Sequence, residues 1–196
     1  MSVSETARKI ASMEVRGALR IAVAAAKAME AEIIDGVTYE ELVKAGDELR
    51  DARPTAVSLP NTVNHIIHLA DVHRNDDPAV AKPLLLADVA GFIAELESSI
   101  EEAAENCAGF VEDGDIILTI CNSETVVQSI KKAWSSGKRF SVYACETRPR
   151  FQGHITAKEL TSAGVDVTLI VDSAAYYTIR NRGVGKVMVG ADAVYA

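Results

Sequence analysis

Cys121 follows the apolar run Ile116-Ile117-Leu118-Thr119-Ile120 and precedes Asn122-Ser123. Such a run has the length of a buried strand and is far too short to span a membrane. Asn122 and Ser123 are both residue types that cap helices, and Val126, Val127, Ile130, Ala133 and Trp134 then recur at helical spacing until Gly137. The thiol therefore falls between the carboxyl end of a strand and the amino end of a helix. The positive end of the helix favours a thiolate, and its free N–H groups favour a bound anion. The competing reading is a small core cysteine.

The elements that position this thiol come from an alternation. Apolar strands are expected at 115–121, 140–146, 166–172 and 186–192, with helices at about 123–136, 155–163 and 173–181. Strand–helix alternation implies a parallel sheet with helices on both faces. All carboxyl ends then share one edge, where such folds bind ligands. The ends deliver Cys121 and Asn122, then Glu146 with Thr147-Arg148-Pro149-Arg150-Phe151-Gln152-Gly153, then Asp172-Ser173, then Asp192. A thiolate and a carboxylic acid facing one substrate suit proton transfer beside a carbonyl. Arginines and a helix start suit a phosphate. Plainer roles exist: Asp172-Ser173 is read as a helix N-cap, Asp192 could cap a following helix, and Arg148 and Arg150 could pair with Glu146 or a neighbouring subunit. No Gly-x-Gly-x-x-Gly and no phosphate-loop Gly-Lys-Ser/Thr occurs, so neither a dinucleotide nor a nucleoside triphosphate is indicated.

Residues 1–107 read as a helical N-terminal domain, ahead of a sheet domain at 108–196. Ser4 could cap a first helix carrying Ile10 and Met13. Arg16-Gly17-Ala18 interrupts two helical runs, either as an anion-binding helix start or as a plain joint with a surface arginine. Thr38 and Glu41 form a capping box for a helix to about Ala52. Arg53 then precedes Pro54, and Pro54 with Pro60 predicts an ordered, non-helical segment. The arginine is either aimed inward or solvated at a helix end. A helix over Asn61–Arg74 carries His65, His68 and His73. His65 and His68 share a face, but no convincing third ligand lies nearby, so no metal is expected. Asp77-Pro78 starts a long helix reaching Cys107, with Pro83 also in its first turns and Glu95, Glu97, Glu101, Glu102 and Glu105 on a solvated face.

Composition narrows the class. The 196 residues carry a net charge of −8, with 48% hydrophobic and 5% aromatic residues, which gives a mainly aliphatic core. The acidic balance argues against nucleic acid as a general partner, though not against one small phosphorylated ligand. The three cysteines, Cys107, Cys121 and Cys145, are odd in number and far apart, which suits reduced thiols in the cytoplasm. No apolar run approaches membrane-span length and no signal-peptide pattern opens the chain.

The joint pattern of Cys-Asn-Ser at 121–123, Glu-Thr-Arg-Pro-Arg-Phe-Gln-Gly-His-Ile-Thr-Ala-Lys-Glu-Leu at 146–160, Val-Asp-Ser-Ala at 171–174 and Gly-Ala-Asp-Ala-Val at 190–194 resembles the archaeal ribose-1,5-bisphosphate isomerases. These belong with the methylthioribose-1-phosphate isomerases and the regulatory subunits of initiation factor 2B. Val-Arg-Gly-Ala at 15–18 and Arg-Pro-Thr-Ala-Val-Ser-Leu-Pro-Asn at 53–61 extend the resemblance over essentially the whole chain. It implies a helical N-terminal domain, a Rossmann-like sheet domain, and isomerisation of ribose 1,5-bisphosphate to ribulose 1,5-bisphosphate in nucleotide salvage. It further implies that Cys121 takes the proton from C2 and that Asp192 is the acid–base partner at the sugar oxygens. Arg16, Gly17, Ala18 and Leu19, with Arg53, would hold phosphate, while Asn122, Ser123 and Gln152 line the sugar and second phosphate. The family implies no cofactor, a homo-oligomer (dimer or hexamer) and a nucleotide as candidate activator.

Two features depart from the family pattern. Glu124 stands where family members place a small residue; a carboxylate there suits the helix dipole but repels phosphate. The chain also ends at Tyr195-Ala196, just after the fourth expected strand, so a C-terminally truncated sequence is expected, and such a piece need not be active alone. The competing functions are a non-catalytic regulatory subunit of initiation factor 2B type that binds a nucleotide or sugar phosphate, and a methylthioribose-1-phosphate isomerase. The presence of both Cys121 and Asp192 favours the ribose-1,5-bisphosphate isomerase over the regulatory subunit.

Overall fold

A computed structural model describes residues 1–191, which form two compact units, Met1–Ser98 and Ser99–Ala191. In the N-terminal unit, alanine-rich and capped sequences give the helices α1 (Val3–Ala11), α2 (Ala18–Asp35), α3 (Tyr39–Ala52) and α4 (Ser58–Val72). Helix α5 (Pro78–Gly109) begins in this unit and ends in the next. The capping box is present: Glu41 N–H donates to Thr38 Oγ1 at 3.2 Å and Thr38 N–H donates to Glu41 Oε2 at 2.8 Å. The first helix starts earlier than expected, because Ser2 rather than Ser4 is its cap, accepting from Glu5 N–H. Helix α4 also starts earlier, at Ser58, and takes Pro60 into its first turn. The proline's missing N–H costs nothing there, since first-turn N–H groups lack helical partners.

The small residues of α2 let its neighbours approach. Ala22, Ala25, Ala26 and Ala28 are buried with Leu59, Val63 and Ile66 of α4. A Cβ on Gly46 of α3 would stand 2.7 Å from Val63 Cγ1, so glycine is needed at that crossing. His65 packs against Phe92 with ring centroids 4.2 Å apart and the planes tilted by 42°. His73, just past α4, lies between two carboxylates: Nδ1 is 3.2 Å from Asp76 and Nε2 is 2.9 Å from Asp88 of α5.

The second unit follows the strand–helix alternation: β1 (Ile116–Ile120), α6 (Glu124–Ser135), β2 (Ser141–Cys145), α7 (Gln152–Ser162), β3 (Asp166–Ile170), a 3-10 turn (Asp172–Ala174), α8 (Ala175–Asn181) and β4 (Lys186–Met188). The strands pair parallel in the order β3-β2-β1-β4. Leu118 faces Tyr143 on one side and Val187 on the other. Ile117, Ile130, Val142, Leu160 and Val165 are buried in its core with Val126, Val127 and Ala133 of α6. Each fully buried aliphatic side chain contributes about 1.5–3 kcal/mol. The chain builds outward from β1 through β2 to β3, then crosses to the other side of β1 for β4. Strand order reverses beside β1, and such a reversal opens a crevice at the carboxyl edge of a parallel sheet. Cys121 is the first residue after β1 and so lies at that point.

Candidate active site

The turn after β1 holds its backbone in an unusual shape. Cys121 has φ +67°, in the left-handed region that side chains other than glycine enter at a cost. Hydrogen bonds grip its peptide groups from both sides. Its N–H donates to Thr147 Oγ1 at 2.8 Å, and its carbonyl accepts from the buried Thr156 Oγ1 at 2.7 Å. Asn122 Nδ2 donates to the same Thr156 oxygen at 3.0 Å. Ser123 caps α6, its hydroxyl accepting from Val126 N–H at 3.4 Å. The partly buried Cys121 thiol donates to Gln152 Oε1 at 3.0 Å. The thiol is thus aimed by a turn fixed at three points, and it stands in front of a helix start.

The loop between β2 and α7 supplies one of those points, Thr147, and is itself strained. Thr147 (φ +61°) and Phe151 (φ +52°) are left-handed as well, and Thr147 is β-branched, the type least suited to it. Asp172 holds this loop: its two carboxylate oxygens accept from Thr147 N–H and Arg148 N–H, each at 2.8 Å. Those bonds, Arg148 first and then Thr147, hold the Asp172 carboxyl below its ordinary value. Burial, with the Asp172 charge second, pushes the Cys145 thiol up. The expected N-cap role of Asp172 is therefore corrected, because the 3-10 turn there has no side-chain cap bond and the carboxylate is spent across the sheet edge on the neighbouring loop. Glu146, buried at the end of β2, pairs with Arg148 Nε at 2.6 Å, one of the plainer roles read from sequence.

Helix α7 approaches β2 without any room for a side chain at Gly153. A Cβ there would fall 1.7 Å from the Cys145 carbonyl oxygen, and Gly153 N–H donates to Glu146 O at 3.1 Å. This contact sets Gln152 and Thr156, one turn apart on α7, against the Cys121 turn. On the other side of that turn, a Cβ on Gly190 would meet Ser123 Oγ at 2.7 Å, so the chain just after β4 passes directly beside the α6 cap. Asp192 itself lies outside the described residues.

Of the residues singled out from sequence, Cys121, Asn122, Ser123 and Gln152 come together in one cluster. Arg16, Gly17, Ala18, Leu19 and Arg53 belong to the N-terminal unit. There Gly17 (φ +87°) is the N-cap of α2 without a side-chain cap bond, and Ala18 and Leu19 form its first turn, a geometry common to the anion-binding and the plain-joint readings. Arg53 is the C-cap of α3, and its carbonyl accepts from Ala56 N–H at 3.0 Å. Both arginines are partly buried, and among the described residues neither forms an ion pair. Sequence reasoning placed Thr147 and Gly153 on the sheet edge without assigning their contacts, and missed Thr156 and the cross-edge role of Asp172. Thr147, Gly153 and Thr156 all lie inside the 146–160 run that carries the family resemblance. Among the described residues no three His, Cys, Asp or Glu side chains gather as metal ligands, and no helix is long and apolar enough to cross a membrane.

Together the helical N-terminal unit and the unit with a four-stranded parallel sheet define an α/β protein, with a thiol at the point where the strand order reverses. The chain belongs to the Initiation factor 2 subunit family, which it matches over residues 14–196. It is 44% identical over 200 residues to the ribose 1,5-bisphosphate isomerase of Methanocaldococcus jannaschii, an alignment covering 99% of this chain and 62% of that protein. Among solved structures it is similar to the 5-methylthioribose 1-phosphate isomerase of Pyrococcus horikoshii OT3 (TM-score 0.81, 29% identity, 98% of this chain and 58% of that one). It is also similar to the translation initiation factor eIF-2B subunit delta of A. fulgidus (TM-score 0.74, 33% identity, 98% and 61%). The chain spans about six-tenths of the length of the curated relatives it matches.

Proposed function

We propose that this protein is an aldose–ketose isomerase converting ribose 1,5-bisphosphate to ribulose 1,5-bisphosphate in nucleotide salvage. One observation carries the reading beyond likeness: Cys121 is held in a left-handed turn by Thr147 and Thr156, with its thiol aimed from a sheet edge. A fold bears such strain where a reactive group must be presented. The chemistry needs a base at carbon and an acid–base group at oxygen. Opening the sugar ring breaks the bond from C1 to the ring oxygen: its electron pair goes to that oxygen, which takes a proton from Asp192 as the proposed donor, and C1 is left as an oxocarbenium carbon conjugated with the phosphate-ester oxygen. The Cys121 thiolate then removes the C2 proton, and the C–H electron pair becomes the C1=C2 bond of an enol phosphate. Return of that proton from sulfur to C1, with loss of the C2 hydroxyl proton to Asp192, yields the ketose. No electrons leave the substrate, so no redox cofactor is required.

Arg16 and Arg53, with the open N–H groups of Gly17, Ala18 and Leu19, are the proposed phosphate ligands, and Asn122, Ser123 and Gln152 line the sugar. In the same reading the enzyme works as a cytoplasmic homo-oligomer, and a nucleotide is the activator to test first. The test is conversion of ribose 1,5-bisphosphate by the full-length protein, read by coupled carboxylation of the product, with Cys121→Ser and Asp192→Asn alongside. Turnover abolished by both substitutions supports the isomerase. A second reading, a non-catalytic regulatory subunit, is favoured by Glu124, whose carboxylate occupies the first turn of α6 where a phosphate would seek N–H groups. A folded full-length protein that binds sugar phosphate or nucleotide without turning it over would establish that reading instead.

A further inference from the structure

Gln152 has so far been given only a sugar-lining role, yet its amide oxygen is bonded to Cys121 Sγ. A glutamine amide has an acceptor end and a donor end of nearly equal size, and rotation about its last torsion exchanges them cheaply. The rest of the residue is fixed. Gln152 opens α7, follows the left-handed Phe151, and precedes Gly153, which is locked against the Cys145 carbonyl. Its backbone cannot move, while its amide can turn. The other polar groups of the cluster are committed: Asn122 to Thr156, Thr147 to the Cys121 N–H and Cys145 carbonyl, Thr156 to the Cys121 carbonyl. Charged and titratable groups at the near ends of the surrounding elements include Glu146, paired with Arg148; Asp172, bonded to backbone N–H groups; Glu124 at the start of α6; Arg150 in the loop; and the exposed His154 on α7, while Lys131 of α6 and Glu159 of α7 pair with each other farther along.

We infer that Gln152 is a catalytic partner of Cys121 whose amide turns with the charge of the sulfur, accepting from the thiol through Oε1 and donating to the thiolate through Nε2. The consequence for turnover rests on the isomerase reading; the sulfur–amide pairing does not. When the thiolate takes the C2 proton, the new S–H donates to the amide oxygen. When the thiol returns that proton to carbon, the amide turns back to donate to sulfur. Gln152 itself gains and loses no proton. A carboxylate at 152 could accept from the thiol but would repel the thiolate, and a thioether would serve neither state.

The test is the pH profile of Cys121 alkylation by iodoacetamide, read by mass spectrometry of the Cys121 peptide so that Cys107 and Cys145 do not contribute. The full-length protein is compared with Gln152→Met and Gln152→Glu, and unchanged Trp134 fluorescence certifies the fold. Loss of a donor to an anion predicts a Gln152→Met profile displaced to higher pH, with alkylation at neutral pH slowed roughly tenfold, and a larger displacement in Gln152→Glu. A Gln152→Met profile that coincides with the native one, or moves to lower pH, overturns the inference. If that variant fails to fold, a Gln152→Glu profile coincident with the native one overturns it equally. Absence of isomerase turnover in the native protein would sink the function reading and leave the alkylation result standing, so the two failures are separable.

Discussion

Replacing Gly153 by alanine should separate α7 from β2 and thereby dismantle the setting of Cys121. The added Cβ would lie 1.7 Å from the Cys145 carbonyl oxygen and 2.7 Å from its carbon, both backbone atoms that cannot rotate away. Restoring even a 3.0 Å separation requires the helix start to retreat by about 1.3 Å. Gln152 and Thr156 travel with it, so contacts to the Cys121 turn now at 3.0 and 2.7 Å would pass the hydrogen-bonding limit of about 3.5 Å. Overpacking of this kind costs about 2 kcal/mol, and stranding the buried Thr156 and the Cys121 carbonyl costs about 2 kcal/mol more. For an m-value of about 2 kcal/mol/M, a loss of about 4 kcal/mol lowers the urea midpoint by about 2 M. Trp134, the single tryptophan, lies on α6 with its ring edge-on to Phe140 at 5.4 Å and reports on this unit alone. A Gly153→Ala protein whose tryptophan-detected midpoint stays within about 0.3 M of native would refute the reasoning.

Other substitutions probe separate links. Gly91 sits inside α5 with nothing beyond its own stretch of helix within 4 Å of its would-be Cβ, so Gly91→Ala should raise helix stability by about 0.5–1 kcal/mol, the opposite sign, seen in a circular-dichroism melt. Thr156→Val keeps the shape but leaves the Cys121 carbonyl and Asn122 amide without their partner; a loss of about 2 kcal/mol and a fall in kcat larger than any change in KM are expected, with Thr156→Ser restoring both. The Asp172 carboxyl is depressed by the Arg148 and Thr147 N–H groups, so its hold on the loop is fully present above the unfolded value of 3.8 and is lost as pH falls below that through the lower folded value. Hydrogen exchange of the Thr147 and Arg148 amides should therefore accelerate only in that acid window, and Asp172→Asn should accelerate it at neutral pH. His73 titrates in the other direction. The Asp88 and then the Asp76 carboxylates raise it above 6.5, so its contribution is complete below 6.5 and fades as pH rises through the folded value. The thermal midpoint of the N-terminal unit should decline across that alkaline passage, and Asp88→Asn should flatten the decline.

The parts of the molecule legible in the sequence are those that depend on neighbours along the chain. Thr38 with Glu41 is a reciprocal bond three residues apart, so residue types and spacing suffice to predict it. Cys121 was placed at a strand–helix junction because an apolar run met capping residues, and the parallel strands followed from the same alternation. Thr156 was invisible by that route, because its partners are Cys121 and Asn122, some 35 residues away, and a threonine within a helix announces nothing. Asp172 misled for a related reason: an aspartate before a helix is usually a local cap, and only the assembled sheet edge shows that a neighbouring loop offers it two N–H groups instead of one. Gly153 was in plain view as a residue, but the carbonyl that excludes its side chain belongs to another strand.

The left-handed turn at Cys121 also sets this site against any selection for robustness. Glycine takes that backbone shape without the side-chain clash, so Cys121→Gly relieves strain by about 1 kcal/mol while deleting the sulfur. In the proposed isomerase, stability-guided redesign, or drift in a lineage released from the reaction, would be drawn toward losing the thiol first and keeping the scaffold. A relative that retained the threonine grip and the sheet edge but carried glycine at this position would keep the scaffold, with less backbone strain, after the thiol had gone.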